Sequence, residues 1–303
     1  MEEKPDFVGH QKYDLATAMN FGLPAANIII QGPAEDPWIG ETTKLIGDWR
    51  ARFQSTYLQW ALTINGLHTA GERYKGKRLQ QEKGIFYVET LREHGKVKLA
   101  EWSWEEAEKN STATIPMIAA WGLVDLYSNF EEFVFALYKV FLNHRPESLL
   151  QGSFKPLRRL RAAAANSDAD RQAWETAWRE RLEQWQRTRL YDGLGKVFLG
   201  YMNLAELKAP KHFERTDPEK WAESLNGVAL VRNSFTHGQT TVTKALCDFS
   251  SKPHSLAFDF KEGEPLKIRL DHLMGVEAFA DSLLTALNLS LLQRAGMPMP
   301  QKK

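Results

Sequence analysis

The chain of 303 residues contains a single cysteine, Cys247. One cysteine excludes an internal disulfide framework and cannot build a zinc knuckle, which fits a reducing cytosol. Long apolar runs are also missing, because the longest, Ile115 to Val124, is far shorter than the roughly 20 residues of a membrane span. The first residues are acidic, whereas a secretion signal begins with basic and then apolar residues. We therefore expect a soluble cytoplasmic protein with no membrane partner.

A strong net charge and several common catalytic motifs are absent as well. The 39 basic residues nearly balance the 38 acidic ones, for a net charge of +1. The surface as a whole is therefore not positively charged, so any contact with RNA must be made by a local group of basic residues. The eight histidines are scattered, and neither a His-Glu-x-x-His motif nor a Gly-x-Ser-x-Gly elbow occurs. We expect no metal site and no cofactor, and the α/β-hydrolase route to acyl chemistry is disfavoured.

What the chain has in quantity is apolar residues at helical spacing. From Thr42 or Thr43, the expected N-caps, apolar residues recur every three or four positions as far as Leu67, the pattern of a long amphipathic helix. A second apolar stripe runs from Ile115 to Phe141, and a third fills a last helix that begins after Asp271. These stripes predict a mostly α protein with a helical bundle.

A polar break at Lys109 to Thr112 suggests how the chain is divided. We predict a largely helical N-terminal region of unknown role at residues 1–110, a helical domain at residues 111–295 and a flexible tail at residues 296–303. Between Ser255 and Leu270, apolar residues alternate on both sides of a Glu-Gly-Glu-Pro turn. This pattern predicts a β-hairpin inserted beside the bundle.

Polar chemistry is most concentrated in the segment Val231 to Gly238, which reads Val-Arg-Asn-Ser-Phe-Thr-His-Gly. Asp217, followed by proline and glutamate, is a good start for the helix that carries it. At about 100° per residue, Asn233 and His237 share one face of this helix and Arg232 lies beside that face. A purely structural interpretation is that Arg232 pairs with a carboxylate, Asn233 caps a backbone group and His237 binds the last carbonyls of the helix.

The order Arg232-Asn233-x-x-x-His237 resembles the motif of HEPN domains (higher eukaryotes and prokaryotes nucleotide-binding). The resemblance extends from Ser111 to Gln293 in the order of the elements, although the hairpin is not required by it and residues 1–110 have no counterpart. It implies a helical bundle whose motif helix faces its symmetry mate in a homodimer. Many HEPN domains are metal-independent ribonucleases of defence or toxin systems, which implies RNA as substrate and an antitoxin or defence-system partner protein.

Glu131 is a candidate to border the same site. Helical phase places it at the edge of the apolar stripe, whereas Glu132 lies on the opposite face. The surrounding run, Asn-Phe-Glu-Glu-Phe-Val-Phe, is similar to the opening helix of HEPN domains. The alternative is that Glu131 is an ordinary solvent-exposed helix carboxylate.

Basic residues exceed acidic ones between Lys155 and Arg189. Arginine forks bind phosphates bidentately, so this region is the predicted RNA-tracking surface. The candidate RNA-contacting residues are Arg158, Arg159, Arg161, Arg179 and Arg187. The alternative is a solvated helix whose arginines pair with nearby glutamates, and the tryptophans of this region are expected in the core.

Two function classes follow. The first is an endoribonuclease, in which His237 acts as general base or acid, Arg232 stabilises charge on the phosphate and Asn233 orients it. The second is a non-catalytic HEPN-like module that binds a nucleotide, RNA or a partner protein. The intact Arg, Asn and His favour the enzyme, whereas the near-neutral charge favours the module.

Overall fold

The computed structural model describes residues 28–76, 86–152, 154–210 and 217–297, and it is mostly helical. The α-helices are α1 (Trp38–Lys75), α2 (Trp104–His144), α3 (Lys155–Ala163), α4 (Asp168–Arg189), α5 (Leu194–Leu204), α6 (Pro218–Thr236), α7 (Lys244–Ser250) and α8 (Leu270–Arg294). Short 3-10 turns occupy Pro146–Leu149 and Leu190–Asp192. The predicted mostly α class is confirmed.

The two longest helices, α1 and α2, form the centre of the molecule. Their contact includes a cluster of aromatic rings, in which Phe53 of α1 lies 4.7 Å from Phe130 and 6.4 Å from Phe133 of α2, measured between ring centroids of tilted and edge-to-face pairs. In the same contact, Asn129 donates a buried hydrogen bond to the Thr56 hydroxyl at 2.9 Å. Because both partners are polar and buried, this bond fixes how the two helices are aligned.

Helix α1 begins earlier than its sequence predicts. Trp38 and Ile39, both fully buried, lie in its first turn directly after Pro37. Thr42 and Thr43, the predicted N-caps, instead lie within the helix. Their hydroxyls donate to the carbonyls of Trp38 and Gly40, at 2.7 Å and 2.9 Å. Buried threonines that bond back to the preceding turn keep their polar groups satisfied without ending a helix.

Helix α2 also begins before its predicted start at Ile115. Ser103 and Glu106 form a reciprocal capping box at its N-terminus. The boundary predicted between residues 110 and 111 lies within this helix, which is continuous there. The same hydrophobic core also contains residues on both sides of that position, from Trp38 to Leu291. The chain therefore passes from one predicted region to the next without a loop.

A β-hairpin connects α1 to α2. Strand β1 (Phe86–Arg92) pairs antiparallel with β2 (Gly95–Trp102), with a bulge opposite Val88 and Glu89. Its base is fixed by stacked rings, since Phe86 lies parallel to Trp102 at 5.7 Å. Most of its other side chains are exposed. From the sequence, Ile85 to Leu91 indicates one strand, of which Ile85 lies outside the described residues, and the partner strand β2 was not predicted.

The hairpin predicted at Ser255 to Leu270 is wrong. The alternation there does report burial, because Phe258, Phe260 and Ile268 are all buried. The backbone, however, pairs elsewhere: the Leu266 N–H donates to the Thr240 carbonyl at 2.9 Å and the Val242 N–H to the Glu264 carbonyl at 2.8 Å. In residues 255–270 the structure therefore contains an isolated bridge, Thr241 to Pro265, rather than two paired strands.

The last helix, α8, completes the core against α1 and α2. By length and composition it could cross a membrane, with a mean hydropathy of 1.2, but 72% of its apolar window is buried inside the protein. It starts at Leu270, one residue before the predicted cap Asp271. Of the predicted tail, residues 298–303 lie outside the described residues, and Gly296 follows the helix end.

Candidate functional site

The motif segment lies at the carboxyl end of α6. As predicted, the Asp217 carboxylate caps the start of this helix, accepting from the Lys220 N–H at 2.8 Å. The helix ends at Thr236, and His237 is its C-cap, with its N–H bonded to the Asn233 carbonyl at 2.9 Å. Gly238 has a φ of +72°, the left-handed conformation that glycine adopts most readily at helix ends.

Arg232 is the member of the motif that contacts α2. Its guanidinium carbon lies 5.1 Å from the centre of the Tyr127 ring, and its Nη2 lies 3.9 Å from Glu131 Oε2. Its Nη1 donates to the Asn233 side chain at 2.8 Å, while its buried Nε has no hydrogen-bond partner. The separation from Glu131 is within ion-pair distance, as the structural interpretation of Arg232 expects, but exceeds a hydrogen bond. Nη2 therefore keeps donor capacity for an anion.

Glu131 and Tyr127 are one turn apart on α2, which places them on one face. Burial raises the pKa of Glu131, and the nearby Arg232 opposes that shift. Burial, with a contribution from the Glu131 charge, raises the pKa of Tyr127 to about 12. Sequence analysis placed Glu131 at the border of the site, and the structure brings it to Arg232. Tyr127 was assigned to the core stripe, so its contact with the guanidinium was missed.

Asn233 and His237 are exposed. Among the described residues, no hydrogen bond or ion pair joins the His237 ring to another side chain, so the imidazole faces solvent. In the alternative interpretation, His237 binds the last carbonyls of the helix. In the structure only its backbone N–H does so, by donating to the Asn233 carbonyl. An exposed imidazole one turn beyond the Asn233 amide can accept or donate a proton to a bound molecule.

A second contact between α2 and α6 lies beside the motif. Trp121 of α2 meets Phe235 of α6 edge to face, with ring centroids 5.5 Å apart and planes at 88°. Trp121 remains 49% exposed. The two helices are antiparallel here. On α6, Arg232 comes before Phe235, whereas on α2 the residues that contact Arg232, Tyr127 and Glu131, come after Trp121. Sequence analysis did not single out Trp121.

The five predicted RNA-contacting arginines are divided between α3 and α4. Arg158 donates to the carbonyls of Leu150 and Gly152, and Arg161 pairs with Glu147 at 3.1 Å. These two arginines and Glu147 line a cavity of about 600 Å³. Arg161 therefore pairs with a glutamate, as the alternative interpretation expects, whereas the partners of Arg158 are backbone carbonyls.

The arginines of α4 are more available. Arg187 lies 3.7 Å from Glu183, and its side chain is 79% exposed. Arg159 on α3 and Arg179 on α4 are also exposed. Trp178 and Trp185 are buried, as expected for core residues. Contact of any of these arginines with RNA stays a prediction.

Among the described residues, no group of three or more His, Cys, Asp or Glu side chains is placed to hold a metal ion. No family model matches the chain, and neither the curated proteins nor the solved structures yield a significant match.

Proposed function

We propose that the protein is a metal-independent endoribonuclease whose site is formed by Arg232, Asn233 and His237. The observation that carries the proposal is the position and exposure of the Arg232 guanidinium. The guanidinium lies against the Tyr127 ring and beyond hydrogen-bond distance from Glu131, and 34% of the Arg232 side chain is exposed. A partly exposed guanidinium on the same helix end as an exposed histidine suits a phosphodiester, because arginine binds phosphate oxygens in its planar fork.

In this proposal the nucleophile is the 2′-hydroxyl of the RNA. His237 takes its proton, and the 2′-oxygen forms a bond to the adjacent phosphorus while the bond from phosphorus to the 5′-oxygen breaks. Arg232 holds the non-bridging oxygens, on which charge increases, and the Asn233 amide orients the phosphate. The leaving 5′-oxygen receives a proton, so the products carry a 2′,3′-cyclic phosphate and a 5′-hydroxyl.

One copy of the chain supplies a single motif histidine, whereas the reaction uses both a base and an acid. A homodimer with the motif helices facing each other supplies both, because the partner's His237 donates the second proton. The resemblance to HEPN domains supports this arrangement. A role in defence or toxin systems, with an antitoxin or other partner protein, belongs to the same proposal and rests on the resemblance alone.

A non-catalytic module that binds a nucleotide, RNA or a protein is the second candidate. Glu131 favours it, because a carboxylate 3.9 Å from the guanidinium reduces the positive charge offered to a phosphate. The two candidates share the site formed by Arg232, Asn233 and His237 and differ in whether bound RNA is cut.

The deciding experiment uses the purified chain with total RNA in excess EDTA. We expect cleavage, and we expect His237→Ala and Arg232→Ala each to reduce it by about 10²- to 10⁴-fold, the range for loss of a positioned acid, base or charge stabiliser. Replacing the exposed His68 of α1 by alanine is the matched control and should leave the rate unchanged. Circular dichroism establishes that each variant is folded.

A second substrate tests the nucleophile itself. RNA with one 2′-deoxy sugar at the scissile position should bind and resist cutting, because only the attacking oxygen is removed. If that RNA is cut at the normal rate, or if EDTA abolishes cleavage of ordinary RNA, the 2′-hydroxyl mechanism is wrong. If neither substrate is cut but both bind, the binding module is the better description.

A further inference from the structure

Trp121 is an exposed aromatic residue held in a fixed orientation. It lies on α2 with 49% of its surface exposed, and the edge-to-face contact with Phe235 restrains its ring. A T-shaped contact covers at most one face of an indole, so at least one face remains available for another flat ring. Met117, one turn earlier on the same side of α2, is 50% exposed and continues the apolar surface.

The position of this surface relative to Arg232 is set by the antiparallel packing of α2 and α6. Trp121 precedes Tyr127 by six residues, which corresponds to about 9 Å along the helix axis at 1.5 Å per residue. Phe235, its ring partner, lies between Arg232 and His237 in the chain. The indole therefore lies on the part of α2 that packs against the motif end of α6, about 9 Å along the helix axis from Tyr127.

An exposed aromatic ring and a guanidinium complement the two parts of a nucleotide in single-stranded RNA, its base and its phosphate. The phosphate has a charge that Arg232 complements, and the base has a flat face that stacks on an aromatic side chain. Bases in a duplex are already stacked on their neighbours, so a side chain reaches them only where the strand is unpaired. The charge and the exposed ring together favour an unpaired RNA base over an apolar protein segment.

We propose that Trp121 is a stacking platform for an unpaired base of single-stranded RNA whose backbone phosphate is bound by Arg232. This inference rests on the proposed function, because it assumes that the motif site takes RNA. It goes further by assigning base recognition to a residue outside the motif. Trp121 does not take part in the chemistry and acts on binding.

The test measures binding separately from cutting. The probe is a short fluorescein-labelled single-stranded RNA of mixed sequence, 2′-O-methylated throughout so that it has no free 2′-hydroxyl. Its affinity is measured by fluorescence anisotropy for the full chain and for Trp121→Ala, Trp121→Phe and Tyr191→Ala. Tyr191 is 93% exposed at the end of α4 and is the matched control for loss of an exposed aromatic ring.

We expect Trp121→Ala to weaken binding by about 5- to 100-fold, the range for loss of one base stacked on an aromatic ring. Trp121→Phe should keep most of the affinity, and Tyr191→Ala should keep all of it. The salt dependence of binding should be unchanged in Trp121→Ala, because no phosphate contact is removed. A probe with abasic sites should bind the unaltered chain more weakly but Trp121→Ala almost equally.

The outcomes separate the two proposals. If Trp121→Ala binds the probe as tightly as the unaltered chain, stacking is wrong even if ordinary RNA is cut. If stacking is observed but ordinary RNA is not cut, the nuclease is wrong and the platform stands. If light scattering shows that Trp121→Ala loses self-association, the surface contacts a second copy and the platform is overturned. Failure of the unaltered chain to bind the probe overturns both.

Discussion

The half-buried carboxyl of Glu277 in α8 shows how a single residue couples folding to pH. Arg50 of α1 forms an ion pair with Asp281, one turn after Glu277, and donates to the Thr285 hydroxyl at 2.9 Å. Tyr57 of α1 also interacts electrostatically with Glu277. Burial and the Asp281 charge raise the pKa of Glu277 to about 7, although Arg50 opposes the shift. One guanidinium is thus shared by two carboxyls.

The sign of the effect follows from the raised pKa. Between about pH 4.5 and pH 7 the folded chain binds the Glu277 proton and the unfolded chain does not, so the stability contributed by this group falls as pH rises. We expect Glu277→Gln to be as stable as the unaltered chain near pH 4.5. Near pH 8 it should be more stable, by a free energy of unfolding on the order of 2–3 kcal/mol.

The measurement is urea denaturation of both chains across this pH range. Glu175→Gln, which alters an exposed carboxyl on α4, is the control and should show no such difference. An equal stability of Glu277→Gln and the unaltered chain at all pH values would mean that Glu277 is ionised without penalty in the folded state.

The sequence predicts one of the residues that contact the motif, and the structure shows two more. The phase of α2 places Glu131 at the edge of the apolar stripe, and the structure brings it to Arg232. Tyr127 and Trp121 belong to the same helix, but an aromatic ring on or near an apolar stripe is normally a core residue. Which rings face α6 depends on how α2 and α6 cross, and spacing along one helix does not contain that information.

Helices as elements were predictable because their apolar period repeats over many turns. The hairpin at Ser255 to Leu270 was predicted wrongly, because alternation shows which side chains are buried. It does not show which backbone segment pairs with the strand. Phe258 and Phe260 are buried as alternation predicts, yet residues 264–266 bond to residues 240–242. The true hairpin at Phe86–Trp102 is exposed on most of its surface, so it has no clear apolar alternation to detect.

The packing of α6 against α7 gives a prediction at the scale of elements. A Cβ atom on Gly227 of α6 would lie 2.0 Å from Phe249 Cζ of α7, and Phe249 is buried. Gly227→Ala should therefore overpack this contact at a cost of about 1–3 kcal/mol. That exceeds the roughly 1 kcal/mol that alanine gains over glycine in a helix. We expect a lower melting temperature by calorimetry.

Gly66 of α1 is the matched control, because a Cβ atom there would meet nothing within 4 Å. Gly66→Ala should raise the melting temperature through helix propensity alone. Stabilisation of the chain by Gly227→Ala would show that Phe249 moves aside freely and that α7 does not restrain the motif helix.

At the scale of the whole molecule, the distribution of charge limits how the proposed RNA substrate can bind. With a net charge of +1, the surface as a whole does not attract a polyanion, so affinity has to come from Arg232 and a few exposed arginines. The exposed members of the predicted set, Arg159, Arg179 and Arg187, lie on α3 and α4, whereas the motif lies on α6. We expect binding to depend only weakly on salt, since few phosphates are contacted.

A dimer of the whole chain follows from the chemistry of the proposed site, because one copy has a single motif histidine for a reaction with two proton transfers. Light scattering at micromolar concentration should give twice the mass of the 34.6 kDa chain, with an interface that is largely helical. Cutting should then depend on pairs of chains: in a mixture of unaltered and His237→Ala chains, a mixed dimer keeps only one of the two histidines that the reaction uses. Activity that falls as the square of the fraction of unaltered chain would indicate a composite site. A monomer that cuts RNA at full rate would exclude one.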